Sequence, residues 1–269
     1  MPGSETIKRK HRVEGETPVA RLSGKVAIVT GAGRGIGREI AVLFAREGAA
    51  VALVSRTAAS VDEAVAEIQS SGGVAAGFVC DISRPDEVAA AVTGVMSAFG
   101  GVDILVNNAH DTRNVNARVA EVTTEHLRTQ MSGTDAALQF MQLCRPSMVQ
   151  RGGGNIINMA SAAGVHGSKT FAPYAMAKEA VRALTRCAAR EWGRDGITVN
   201  AICPLATTDA LQQAIDTGVA QAPSGPLGRY GSPADDIAPV ALFLASADSR
   251  FITGHTLMAD GGLSMDAGR

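Results

Sequence analysis

Short apolar runs alternate with amphipathic stretches along most of this chain. Val26-Ala27-Ile28-Val29 is uninterrupted and ends in Thr30-Gly31, the pattern of a strand buried on both faces. Helical spacing follows from about Ile36 to Glu47, and Gly48 stops it. The same alternation predicts further strands at 51–54, 74–80, 102–106, 155–159, 197–202 and 256–258. Helices are predicted at 58–71, 85–99, 123–150 and 233–245, and around Tyr174 as far as about Gly193; Pro85 suits a first helical turn. Regular β-α alternation predicts an α/β fold. It is a doubly wound parallel sheet with helices on both faces, the Rossmann arrangement, in one domain over 25–269. Residues 1–24 are polar, without periodicity, and read as an arm. The least regular internal stretch, about 205–230, carries Thr207, Thr208, Gly218, Pro223, Gly225 and Pro226 and is a candidate substrate lid.

Composition narrows the class. A chain of 269 residues with 46% hydrophobic positions supports a sizeable core. A net charge of −1 offers no footprint for nucleic acid or an anionic membrane. No apolar run approaches the roughly 20 residues that span a bilayer. Lys8, Arg9, Lys10, His11 and Arg12 are not followed by an apolar segment, so they read as a solvated arm rather than a secretory signal. Cys80, Cys144, Cys187 and Cys203 lack metal-ligand spacing. No metal site is expected, and the thiols suit a reducing cytoplasm.

Thr30-Gly31-Ala32-Gly33-Arg34-Gly35-Ile36-Gly37 joins the first strand to the first helix. Glycines let the backbone approach a ligand, and the helix N-terminus then presents free N–H groups to a pyrophosphate. A dinucleotide is the expected cofactor. The second strand ends in Ser55-Arg56, with no acidic residue to take ribose hydroxyls. Arg56, with Arg34 in the loop, points to NADP(H) in preference to NAD(H); the plainer reading of Arg56 is a solvated loop residue.

Tyr174 and Lys178 stand four apart on one predicted helix, about 6 Å along its axis, with Ser161 upstream. An ammonium there would favour the phenolate and lower the tyrosine's pKa, fitting it for proton exchange with a carbonyl or alcohol. Taken alone, the pair is equally an exposed surface couple.

Together these features resemble the short-chain dehydrogenase/reductase family, over about Leu22 to Asp260. The motifs are T-G-x-x-x-G-x-G at Thr30–Gly37, Asp81, Asn107-Asn108-Ala109, Ser161, Tyr174 and Lys178, Asn200-Ala201-Ile202-Cys203-Pro204, and Asp260-Gly261-Gly262. The resemblance implies a ketone–secondary alcohol oxidoreductase. Tyr174 is its acid/base, Ser161 bonds the substrate oxygen, and Lys178 holds the nicotinamide ribose. Asp81 and Ile82 would sit by the adenine, Asn108 and Ala109 in the nucleotide cleft, and Pro204 with Thr207 or Thr208 by the nicotinamide. Substrate contacts would come from His110, Ser161, Ala163, His166, Phe171 and Leu205, and from Val165. A homotetramer is implied, with Phe140, Met141, Met148 and Trp192 as either interface or ordinary core.

Three departures from the family pattern stand out. His110 replaces a glycine, and is either a pocket-lining proton carrier or a simple loop residue. The asparagine that usually supports a proton-relaying water falls at Gly133; Ser132 is a neighbouring substitute. Pro204 is followed by Leu205 rather than glycine. They motivate a rival expectation, a nucleotide-sensing or scaffold protein that kept the fold and lost turnover.

Overall fold

The uninterrupted apolar runs become the middle of one sheet. In the computed structural model, which describes residues 20–207, 215, 217 and 225–265, every residue of β1 (Val26–Thr30) is buried. β2 (Ala50–Ser55), β3 (Val74–Val79), β4 (Ile104–Asn107), β5 (Gly154–Met159), β6 (Ile197–Pro204) and β7 (Thr256–Ala259) complete it. The order is β3-β2-β1-β4-β5-β6-β7 and all neighbours are parallel. The predicted α/β class and parallel sheet are found.

Alternate β1 residues feed two cores, as the pleat requires. Ala27 and Val29 pack with Ile40 and Phe44 of α1 (Gly35–Arg46), Val61 and Ile68 of α2 (Ala58–Ser70), and Leu242 of α7 (Ala238–Ala245). Val26 and Ile28 pack with Val88 and Val95 of α3 (Pro85–Phe99) and with Phe140, Met141 and Met148 of α4 (Thr124–Gln150). Phe140, Met141 and Met148 are therefore core and are closed to an interface. Trp192 packs on the same cluster, under the Arg145 guanidinium at 5.7 Å.

Two elements depart from expectation. The residues after Ser161 form a short helix, α5 (Ala162–His166), where no element was predicted. One turn is too short to show a period, but Ser161 caps it by accepting from the Ala163 N–H at 3.2 Å. The last helix starts with a π-type turn, Pro233–Ile237. Most of the expected lid, Thr208 and nearly all of the expected N-terminal arm lie outside the described residues. No helix among the described residues is long and apolar enough to cross a membrane.

The strand order reverses between β1 and β4. That switch point opens a crevice at the C-terminal ends of the strands, where ligands bind in such sheets. The other end is closed by Asp103, which is 4% exposed. Its carboxylate accepts from Arg151 at 2.9 and 2.8 Å and from the Val26 N–H at 2.9 Å.

Candidate active site

The glycine loop is shaped from beneath by Asn108. Its Nδ2 donates to the Thr30 carbonyl at 3.0 Å and the Gly31 carbonyl at 3.3 Å, while Thr30 Oγ1 accepts from the Asn108 and Ala109 N–H groups. A Cβ on Gly37 would lie 2.4 Å from the Gly31 oxygen and 2.5 Å from Asn108 Nδ2. Gly31, at φ +66°, would meet the same amide at 2.8 Å. These two glycines are thus fixed by close approach. Gly33 is likewise pressed by Ser60 and Ser55.

Above the loop the surroundings are open. A Cβ on Gly35, at φ +56°, would meet nothing within 4 Å. Arg34 caps α1 with no side-chain bond, and no acidic residue sits in the first turn. The N–H groups from Gly35, Ile36 and Gly37 onward are left for an anion. That cradle fits the pyrophosphate of a nicotinamide dinucleotide, the cofactor implied by the motifs.

Further along the groove, Arg56 and Arg34 are exposed, and neither guanidinium makes a hydrogen bond or ion pair among the described residues. Arg56 lies near enough to Asp81 and Asp111 to help depress both carboxyls. Asp81 also caps its own turn, accepting from the Ser83 N–H and hydroxyl at 3.0 and 2.8 Å. Ile82 packs on the core beside it. At the other end, Pro204 closes β6, and Thr207 is tied to the Gly231 carbonyl by its N–H at 2.9 Å.

Ser161 follows the end of β5, and Tyr174 and Lys178 lie on α6 (Ala172–Trp192). The Ser161 side chain lies close enough to the Tyr174 phenol to draw its pKa down. Lys178 Nζ donates to the Met159 carbonyl at 2.8 Å and stands 5.7 Å from the centre of the Tyr174 ring. The spacing therefore does bring the three groups together, and not on an exposed surface: Lys178 is buried. One expectation fails. Burial pushes the phenol above its ordinary value, with only the Ser161 side chain pulling it down. The same burial pushes Lys178 down to about 8, because desolvation disfavours its charge. The pocket that brings the pair together also removes the water that would have stabilised a phenolate–ammonium couple.

The expected substrate residues separate into two groups. Phe171 meets Tyr174 edge to face at 6.1 Å, and Ala163 lies on the first turn of α5. His110 is no simple loop residue: its ring meets Tyr174 edge to face at 5.0 Å, and burial pushes its pKa down to about 4. His166, by contrast, is exposed and bonded to Ser264 at 2.6 Å. Leu205 lines a cleft of about 340 Å³ with Leu227, Val240, Leu257 and Met258, and none of Ser161, Tyr174 and Lys178 borders it. Ser132 gives its hydroxyl to the Thr129 carbonyl of its own helix at 2.7 Å, so it is already engaged.

Behind the site runs a buried polar chain absent from the expectations. Asn107 Nδ2 donates to Asn158 Oδ1 at 2.9 Å, Asn158 Nδ2 donates to Thr185 Oγ1 at 2.9 Å, and Thr185 donates to the Val181 carbonyl at 2.8 Å. It ties β4 to β5 to α6. Its one sequence signal is a polar residue, Asn158, inside the apolar run Ile156–Met159.

Known proteins share this sequence pattern and fold. The sequence profile described as "Enoyl-(Acyl carrier protein) reductase" matches residues 31–264. The chain is 41% identical to the 2,5-dichloro-2,5-cyclohexadiene-1,4-diol dehydrogenase of Sphingobium indicum, over 90% of this chain and 98% of that one. It is 36% identical to a 12alpha-hydroxysteroid dehydrogenase of a Clostridium species, over 90% and 97%. The crystal structure of a 7 alpha-hydroxysteroid dehydrogenase complexed with NADH and 7-oxo glycochenodeoxycholic acid superposes with a TM-score of 0.84 at 36% identity, over 93% of this chain and 98% of that one. The chain belongs to the short-chain dehydrogenase/reductase family and is an NAD(P)-dependent oxidoreductase acting on CH–OH groups.

Proposed function

We propose that this protein interconverts a ketone and a secondary alcohol, with Tyr174 as acid/base and NADP(H) as the preferred cofactor. The observation that carries the reading is the convergence of Ser161, Tyr174 and Lys178 beside the unfilled N-terminus of α1. Hydride transfer belongs to the nicotinamide when it is bound; the chain's own residues handle the oxygen and its proton. Ser161 and the Tyr174 phenol polarise the carbonyl oxygen, and Tyr174 donates the proton that makes it a hydroxyl. A phenol held in its neutral form by burial is ready to donate, and in the oxidising direction Ser161 favours its ionised form.

The unpaired guanidinium groups of Arg56 and Arg34 support a 2′-phosphate on the adenosine ribose. Phe171, Ala163 and Val165 support a mainly apolar substrate. So do two relatives, a dichlorocyclohexadienediol dehydrogenase and a 12alpha-hydroxysteroid dehydrogenase. Exposed Leu138 and Val149 on α4 and Met176 on α6 suit a homotetramer built through those helices. The four free cysteines suit the cytoplasm.

Tyr174→Phe tests the reading on a ketone panel with NADPH. Turnover is expected to fall about 10²–10⁴-fold, with cofactor affinity unchanged in a titration. A variant that keeps full turnover overturns it.

A further inference from the structure

Beside Lys178 is a second, far smaller cleft, walled by Asn107, His110, Gln130, Thr134 and Met159 as well as Lys178. About 10 Å³ of it is open to the centre of a water molecule, room for one water and little else. Three buried polar atoms of its walls have no close hydrogen-bond partner: Asn107 Oδ1, His110 Nε2 and Gln130 Oε1, the last two near enough to each other for the Gln130 amide to draw the imidazole pKa upward. A buried polar atom left unpaired opposes folding, so three around one space call for a common partner.

The two amides are fixed in orientation. Asn107 Nδ2 is committed to Asn158, and Gln130 Nε2 donates to the carbonyls of Asp111, at 3.2 Å, and Arg113. Their oxygens are therefore acceptors. Lys178 contributes a donor, since the Met159 carbonyl takes only one of its three N–H groups. With hydrogen on Nε2, His110 contributes another. Two acceptors and two donors are the complement of one water molecule.

The imidazole lies against Gly133 of α4, where no side chain stands in its way. A Cβ on Gly133 would already lie 3.4 Å from His110 Nδ1, and any longer side chain would displace the ring. His110 and Gly133 are matched: the loop supplies the polar group and the helix supplies the space.

We propose that His110, with Asn107 and Gln130, takes the place of the missing helix asparagine in this chain and holds the single water through which Lys178 recovers its proton from solvent. The proposal rests on the oxidoreductase reading above. In carbonyl reduction Tyr174 gives one proton to the substrate oxygen. Lys178 replaces it with an ammonium proton, takes one back from the water, and the water takes one from solvent. One proton is consumed, and no electron moves in these steps. In this role His110 acts through the water and is a positioning residue. The ionisable groups facing it are Asp111 from its own loop and Tyr174 and Lys178 from α6; the α4 residues facing it are uncharged. Burial, and then the Lys178 charge, keep the ring neutral near pH 7, so it does not compete as a second cation.

The test uses the full chain with NADPH and a ketone found to be a substrate. His110→Ala is expected to lower kcat about ten- to hundredfold, less than loss of the acid itself. KM and NADPH affinity should stay within about twofold, and the solvent deuterium isotope effect on kcat should rise. His110→Gly combined with Gly133→Asn, which returns an amide to the same space from the helix, should recover most of the loss. Gly133→Asn alone should be as poor as His110→Ala. A crystal structure of the wild-type protein should show one water bonded to His110, Gln130 and Asn107. An empty cleft in that structure overturns the proposal. So does an unchanged kcat and isotope effect in His110→Ala while Tyr174→Phe is inactive, and that outcome leaves the oxidoreductase reading standing. An active Tyr174→Phe would instead strike that underlying reading. If His110→Ala does not fold, His110→Gln and the double variant carry the same comparison.

Discussion

Lys178 donates to the Met159 carbonyl at 2.8 Å, which holds an ammonium of α6 against the end of β5 where it is only 7% exposed. Burial lowers its pKa to about 8, against about 10.4 in an unfolded chain. The unfolded state therefore binds this proton more tightly, and stability rises with pH between those values. Below about pH 8 the buried charge opposes folding in full. Lys178→Met is expected to be more stable than the wild type at pH 7, by about 1–3 kcal/mol after loss of the Met159 bond. The gain should shrink towards pH 10, and turnover should be lost. Urea melts at pH 7 and pH 10 check this; a less stable variant at pH 7 refutes it.

Ser161 has two duties that one substitution removes together. Ser161→Ala loses the cap of α5, at about 0.5–2 kcal/mol, and the hydroxyl that lowers the Tyr174 pKa. Alcohol oxidation needs the ionised phenol, so its rate should climb with pH and the climb should move to higher pH in the variant. Carbonyl reduction should slow by about 10²–10³ through loss of a donor at the substrate oxygen. A pH–rate profile that does not move would separate Ser161 from the phenol.

Arg56 is exposed at the end of β2 with no ion pair. Arg56→Asp replaces a cation with an anion where a 2′-phosphate is proposed. The ratio of kcat/KM for NADPH over NADH should fall by at least about ten- to hundredfold. An unchanged ratio would leave Arg56 as a solvated loop residue.

Asp103 is buried, which alone would push its carboxyl up, yet Arg151, the Val26 N–H and Lys25 together hold it below the usual range. A lowered carboxyl contributes stability above its unfolded value of about 3.9 that is lost as pH falls through the folded one. Arg151→Leu should cost about 1–3 kcal/mol and move the acid-unfolding midpoint to higher pH. Acid titration followed by circular dichroism reads the shift; coincident curves would mean that Lys25 suffices.

The fold was legible because its signals are local. Gly48 and Pro85 mark helix ends, and the run Val26–Val29 is buried on both faces as its composition requires. Ser161, Tyr174 and Lys178 were legible through spacing. What spacing cannot carry is environment. The direction of the Tyr174 shift depends on how much water the folded pocket excludes. The fit of His110 to Gly133 depends on which loop lies against which turn of α4. His166 stands near Ser161 in sequence and Leu205 beside Pro204, but they meet Ser264 and the larger cleft in space.

The buried chain from Asn107 through Asn158 to Thr185 grips α6 about two turns beyond Lys178. It anchors the helix to the sheet from inside, independently of the loops around the crevice. Those loops can change length and composition to admit new substrates while the positions of the phenol and the ammonium stay indexed to β4 and β5. Diversity of substrate and constancy of proton chemistry then have separate structural owners within one chain.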